Sequence, residues 1–209
     1  MEGEAKGIDA FKEIADITAK KLTGFSIEDP KLVDYVYDDY LRINEKYNMP
    51  EIELLSVDPQ KYIIKLIAIA ESNSIRVCSV PRGENKFEID GYRLEIKPDS
   101  AAAYFIKSNI IAINEEYLED TADIGVFCMM LKHEIIHGLQ WNFDSKNIDM
   151  EQREYEAYFG SIPYKFYQDL GFTDDGWVKN SIIANFYSIN LSVNNYNEDI
   201  LKDNLIDKV

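Results

Sequence analysis

The two histidines of the chain, His133 and His137, are its most informative residues because they flank Glu134 in the string His-Glu-Ile-Ile-His. The chain contains no other histidine. A His-Glu-x-x-His string arises by chance in well under about one in a hundred chains of this length. We therefore interpret the string as a functional motif, and not as histidines that cap a core or bond a neighbour.

Helical spacing gives the histidines and the glutamate different roles. Residues four apart lie on one face of an α-helix, so the imidazoles of His133 and His137 can converge on one ion, and two nitrogens at about 2 Å suit zinc. Glu134 is displaced by about 100° around the helix. A carboxylate there can take a proton from a zinc-bound water and return it to a leaving amine. The motif therefore predicts peptide hydrolysis with Glu134 as the general base.

A catalytic zinc site of this kind requires a third protein ligand, which is acidic or tyrosyl here because no third histidine exists. A helix predicted a short loop beyond the motif, at Met150–Phe159, carries several carboxylates. An antiparallel pair of helices can bring such carboxylates to the metal. The candidates are Glu151, Glu154 and Glu156 on this helix, and Asp144, which lies seven residues after His137.

The motif and the following helix with its Glu-x-Glu-Ala string resemble the gluzincin metallopeptidases, including compact bacterial and phage zincins of the ImmA/IrrE kind. The resemblance covers residues 110–159 and depends on a handful of motif residues. It implies that the third zinc ligand is Glu154, with Ala157 at the small position of the family's Glu-x-x-Ala-Asp pattern. Glu151 and Asp144 remain alternative ligands.

Two features depart from the pattern of that family. Tyr158 stands where the family often has an aspartate that orients a metal-binding histidine. A phenol can also accept a hydrogen bond from an imidazole N–H, but more weakly than a carboxylate. No helix-turn-helix region precedes the motif, which disfavours a direct role as a transcriptional regulator. A tyrosine downstream of the motif can stabilise an oxyanion, and the candidates for this role are Tyr158, Tyr164 and Tyr167.

The rest of the pattern predicts an α+β fold in which helices precede and follow a small sheet. Apolar periodicity with start and stop signals predicts helices at 9–24, 30–49, 62–71, 123–140, 150–161, 164–170 and 177–187, then an Asn-rich linker at 190–197 and an amphipathic segment at 200–206. Strands are predicted at 51–57, 75–80, 86–97 (a hairpin through Asp90-Gly91), 103–107 and 110–114. The run at 62–71 is also compatible with a strand.

The resemblance implies a zincin-like arrangement, in which a small, twisted, mainly antiparallel sheet packs against the motif helix. An extended substrate can join an exposed edge strand of that sheet. The candidates for the edge are Ala103–Lys107 and Ile110–Asn114, each of which can instead be an interior strand. We expect a single domain over 1–209, with a helical portion at 1–50, the sheet and metal site at 51–171 and a helical extension at 172–209.

Charge and composition exclude several classes of function. The 38 acidic against 22 basic residues leave a formal charge of −16, which repels nucleic acids and anionic lipids. No stretch approaches the roughly 18 apolar residues of a membrane span, and the first residues do not resemble a secretory signal. Cys78 and Cys128 lie far apart and lack the spacing of a metal site, so we expect both to be reduced thiols. We expect a cytoplasmic protein, or an effector delivered from the cytoplasm.

The sequence therefore predicts a zinc-dependent endopeptidase with a narrow protein or peptide substrate. The alternative is a binding or scaffold protein that keeps a zincin fold with a structural zinc. The two differ in coordination, because structural zinc sites are closed whereas catalytic ones keep one position open. The intact Glu134 favours the enzyme.

Overall fold

The computed structural model describes residues 2–97, 100–115, 124–144, 148–171 and 173–203, with side chains described between residues 7 and 194 apart from Asp144. The fold is α+β and mostly helical, which confirms the predicted class. The described helices are α1 (Glu2–Thr23), α2 (Leu32–Lys46), α3 (Glu53–Val57), α4 (Pro59–Ser72), α5 (Ile124–Asp144), α6 (Met150–Ser161), α7 (Tyr164–Asp169) and α8 (Asp175–Asp203). No helix in these ranges combines the length and the apolar character that crossing a membrane requires.

In the described part of the chain, five short strands form two small sheets. They are β1 (Arg76–Val80), β2 (Lys86–Ile89), β3 (Tyr92–Glu95), β4 (Ala102–Phe105) and β5 (Ile110–Asn114). The three-stranded sheet has the order β1-β5-β4, with β5 parallel to β1 and antiparallel to β4, and β2 and β3 form a separate antiparallel hairpin. The larger sheet is therefore mixed, and not mainly antiparallel.

The position of β5 corrects one of the two candidates for an edge strand. Ile110–Asn114 is the central strand, and all five of its residues are buried. An uninterrupted apolar run is typical of a strand covered on both faces, which explains the placement. Strand β4 (Ala102–Phe105), which overlaps the other candidate, Ala103–Lys107, lies at an edge of the sheet.

The described residues form two compact units. One comprises the parts of 41–148 and 160–162 that are described, and it contains both sheets. Within it, α5 packs against α4, β4 and β5. Gly138 permits this approach, because a Cβ built there would lie 2.5 Å from Cδ1 of Ile75. The hairpin of β2 and β3 packs Phe87 against the core of this unit. There the ring of Phe87 meets the ring of Phe105 edge-on, with the centroids 6.1 Å apart.

The other unit comprises the described parts of 1–40, 149–159 and 163–209. In it, α1 packs along α8. An aromatic cluster joins α6 to α8, with the ring of Phe159 4.8 Å from both Tyr155 and Phe186. Such a cluster buries a large apolar area, so it stabilises the position of α6 within this unit.

The segment 51–57 was predicted to be a strand, and this prediction was wrong. Residues 53–57 form α3. Leu55 in this helix and Ile52 directly before it, three residues apart, are buried, while Val57 is 82% exposed. Burial at a spacing of three follows the helical period and not the alternation of a strand. The next run is helical as first proposed, since α4 buries Tyr62, Leu66 and Ala70 at intervals of four, so the strand alternative there is also wrong.

The Asn-rich segment was predicted to link a helix to an amphipathic terminal segment, but α8 continues through it. Its asparagines bond along the helix, where Nδ2 of Asn194 donates to Oδ1 of Asn190 at 3.1 Å. Tertiary packing of Val178, Ile182 and Phe186, which are almost fully buried, supports the first half of this helix. Of the predicted terminal segment, residues 204–206 lie outside the described part of the chain.

Candidate functional site

The centre of α5 is buried except at the three residues of the motif that carry chemistry. Between Leu131 and Gln140, only His133, Glu134 and His137 are partly accessible. Every other position in this stretch is buried, including the two isoleucines inside the motif. The helix therefore uses its apolar residues for packing and leaves its titratable motif residues accessible, which a purely structural pair of histidines does not require.

The two imidazoles converge through one specific pair of atoms. Nε2 of His133 and Nε2 of His137 lie 3.1 Å apart, and the ring planes meet edge-on with centroids 4.7 Å apart. Two nitrogens bound to one tetrahedral zinc at about 2.0–2.1 Å are separated by about 3.3 Å. The observed separation fits a shared ion at these two nitrogens.

The second nitrogen of His137 contacts a buried glutamine that was not among the site residues predicted from the sequence. Nδ1 of His137 lies 3.1 Å from Oε1 of Gln140, and Gln140 is fully buried. An amide oxygen only accepts, so this contact requires that Nδ1 carries the proton. Because Gln140 lies three residues after His137, helical spacing could have identified it as a neighbour on the same face.

Among the described residues, one group of three ligand-type side chains is close enough to hold a metal ion. It consists of His133, His137 and Glu154, each of which is partly accessible and offers one ligand atom within 4.8 Å of the others. The donors are two imidazole nitrogens and one carboxylate oxygen, which is a donor set of catalytic zinc sites.

The structure does not bring the alternative ligands into this group. Glu151 forms an ion pair with Lys21 of α1, and this bond raises the pKa of Lys21. Glu156 is buried, with 3% of its surface exposed. The side chain of Asp144 lies outside the described residues.

The tyrosines proposed as oxyanion stabilisers differ in environment. The hydroxyl of Tyr164 is buried and accepts a hydrogen bond from Nδ2 of Asn185, and burial strongly raises the pKa of this phenol. This hydrogen bond joins Tyr164 in α7 to Asn185 in α8. Tyr158 is partly accessible, and its proximity also contributes to the raised pKa of Tyr164. The ring of Tyr167 meets that of Phe166 edge-on at 6.0 Å.

A buried lysine, which was not among the residues predicted from the sequence, directly precedes the motif. Lys132 is 1% exposed, and burial lowers its pKa to about 7, while the thiol of Cys128 one turn earlier acts in the opposite direction. A charged side chain is costly to bury. Both cysteines of the chain are thiols, with Cys128 buried and Cys78 half-buried.

The edge strand β4 lies directly against the motif helix. A Cβ built on Gly138, which follows His137, would lie 3.4 Å from Cε2 of Tyr104 in β4. The hydroxyl of Tyr104 donates to Oδ1 of Asn109 at 2.7 Å, and Nδ2 of Asn109 donates to the backbone oxygen of Ser74. These bonds anchor the turn between β4 and β5, so the edge strand has a defined position beside the motif.

Comparison of the chain with protein-family models, with curated proteins and with solved structures finds no match.

Proposed function

We propose that the chain is a zinc-dependent endopeptidase of the gluzincin type in which His133, His137 and Glu154 hold the metal. The observation that carries this proposal is the convergence of these three donors at partly accessible positions. The donor types fit zinc, and three protein ligands leave a fourth position for water or substrate. The partly accessible Glu134 on the same helix favours an enzyme over a scaffold with a closed structural zinc.

Zinc bound by these residues would polarise a scissile carbonyl and acidify a water molecule. Glu134 then acts as the general base: its carboxylate accepts the proton of the attacking water and passes it to the leaving amine. Neither step requires a further titratable residue of the chain. Tyr158 remains a candidate donor to the oxyanion, because its side chain is partly accessible.

We propose that an extended protein or peptide substrate binds by pairing with β4. This strand lies at the edge of the three-stranded sheet, and α5 packs against it. Backbone hydrogen bonds to an edge strand bind extended chains with little regard to their sequence, so the pockets beside the strand determine which substrate is selected. A narrow choice of substrate is compatible with this mode of binding.

Two measurements on one pair of proteins test the proposal. The purified chain, stripped with a chelator and reconstituted, is expected to bind about one zinc per chain. The Glu134→Gln variant is expected to bind the same amount of zinc but to cleave substrate slower by about 10²–10⁴ or more, because an amide cannot accept the proton. Substrates are identified by the new termini that the wild-type chain, and not the variant, produces in a whole proteome.

The outcomes separate the candidate functions. A chain that takes up no zinc after reconstitution contradicts the metallopeptidase. Cleavage at the wild-type rate by Glu134→Gln contradicts the role of Glu134. Zinc binding without any Glu134-dependent termini supports the scaffold protein instead.

A further inference from the structure

A glutamine that is fully buried beside an accessible histidine requires a physical reason. Burying a primary amide costs free energy unless its polar atoms are hydrogen-bonded. Gln140 lies on α5 beside Leu139, which is also buried, and an apolar side chain would fill this position without that cost. The contact between Oε1 of Gln140 and Nδ1 of His137, at 3.1 Å, is a reason to have a glutamine there.

The orientation of the amide determines the tautomer of His137. With Oε1 facing the ring, Nδ1 must carry the proton and donate it. Nε2 then carries a lone pair, and this is the atom that faces Nε2 of His133 at 3.1 Å. The tautomer that histidine prefers in water instead has the proton on Nε2, where it would block a metal ion.

We propose that Gln140 is a positioning residue that holds His137 in the Nδ1–H tautomer and so keeps Nε2 available as a ligand. The consequence for metal binding depends on the proposed zinc site, but the tautomer itself does not. A neutral amide performs this task without adding a negative charge to a chain that already carries a formal charge of −16. Outer partners of this kind orient metal-binding histidines in proteins generally.

The tautomer can be measured directly, because the chain contains only two histidines. Metal-free full-length protein with isotope-labelled histidine is examined by long-range proton–nitrogen correlation, at a pH where both rings are neutral. The His133→Gln variant assigns the two rings. We expect His137 to be mainly the Nδ1–H tautomer in the wild-type chain, and Gln140→Leu to shift it towards Nε2–H.

Two further variants control this measurement. Gln140→Glu retains an acceptor and is expected to preserve the Nδ1–H tautomer. Asn142→Leu is the matched control on the same helix, because Asn142 is exposed and its amide donates to the backbone oxygen of Asn73, away from the histidines. We expect the wild-type tautomer in Asn142→Leu. Circular dichroism and amide dispersion verify that each variant is folded.

Several results would overturn the proposal. An Nε2–H tautomer for His137 in the wild-type chain would mean that the amide faces the ring with its NH₂ group. An unchanged tautomer in folded Gln140→Leu would mean that another group selects it. If Gln140→Leu does not fold, the wild-type measurement and Gln140→Glu still decide the question.

Zinc affinity provides a second measurement, made separately from the measurement of the tautomer. Gln140→Leu is expected to weaken zinc binding by roughly 10–100-fold, with recovery in Gln140→Glu. Wild-type zinc affinity in Gln140→Leu would contradict the positioning role. A chain that binds no zinc at all contradicts the proposed function. The proposal about the tautomer is then still decided by the measurement on the metal-free protein.

Discussion

The hydroxyl of Tyr155 donates a hydrogen bond of 2.7 Å to Oδ2 of Asp39, and both side chains are buried. The bond joins α6 to α2, and the Tyr155 ring also packs against Phe159 and Phe186. Glu154 directly precedes this anchored tyrosine. Because successive helical residues differ by about 100° in direction, fixing Tyr155 also fixes the direction in which the Glu154 side chain leaves the helix.

We expect Tyr155→Phe to lower the free energy of unfolding by about 1–3 kcal/mol. The substitution keeps the ring but removes the donor, which leaves the Asp39 carboxyl buried with one hydrogen bond fewer. Urea denaturation monitored by circular dichroism measures the change.

Tyr37→Phe is the matched control for this experiment. Tyr37 lies on α2, is partly accessible, and its ring stacks on that of Tyr40 at 6.1 Å, a contact that the phenylalanine retains. We expect a change of less than about 0.5 kcal/mol. Equal losses of stability in the two variants would mean that the bond to Asp39 contributes nothing specific.

Glu154→Gln is expected to weaken zinc binding by more than the roughly 10–100-fold that loss of an outer partner costs, because the substitution removes the charge of a direct ligand. Glu151→Gln is the matched control one turn earlier on α6, where the side chain pairs with Lys21. We expect its zinc affinity to equal that of the wild type. Competition with a chromophoric chelator measures both constants, and the reverse order of effects would identify Glu151 as the ligand.

The motif could be found from the sequence because its parts are close together along one helix. His133, Glu134 and His137 need only helical spacing to share a site, and spacing is visible in a sequence. The bounds of α6 were also predicted, since an apolar period ends at Ser161 shortly before Pro163. Gln140 was missed because a glutamine has no distinctive chemistry, and its role depends on burial and orientation.

The errors in the predicted fold have a common cause. The local sequence pattern was compatible with more than one structure, and tertiary packing determined which one formed. A short apolar segment such as 51–57 fits both the helical and the strand period, and the buried pair of Ile52 and Leu55 reveals the helix only in three dimensions. Asparagine weakly disfavours a helix, but the packed first half of α8 extends through Asn190 and Asn194. The central place of β5 depended on its pairing partners.

Gly138→Ala is expected to destabilise the chain by about 1–2 kcal/mol, since the cost of overpacking of about 1–3 kcal/mol exceeds the gain in helix propensity of up to about 1 kcal/mol. The new Cβ would lie 2.5 Å from Cδ1 of Ile75, which is fully buried. Gly7→Ala in α1 is the control, and there we expect the substitution to raise the free energy of unfolding.

A Cβ on Gly7 meets nothing within 4 Å, so the same chemical change is expected to raise stability there by about 0.5–1 kcal/mol. Thermal and urea denaturation of the two variants measure the contrast. Stabilisation by Gly138→Ala would mean that α5 is not held as closely against Ile75 and β4 as the structure indicates.

The last prediction concerns Tyr104, whose pKa burial raises to about 12. The unfolded phenol has a pKa of about 10, so between about pH 10 and pH 12 the unfolded chain has lost a proton that the folded chain retains. The contribution of this phenol to the free energy of unfolding is therefore complete below about pH 10 and decreases as the pH rises further.

Tyr104→Phe cannot lose this proton, and we expect its stability to decline less steeply over the same range. Urea denaturation of both proteins across that range measures the two slopes, and parallel curves would contradict the prediction. At neutral pH the variant is expected to be less stable by about 0.5–1.5 kcal/mol, because the bond to Asn109 is lost.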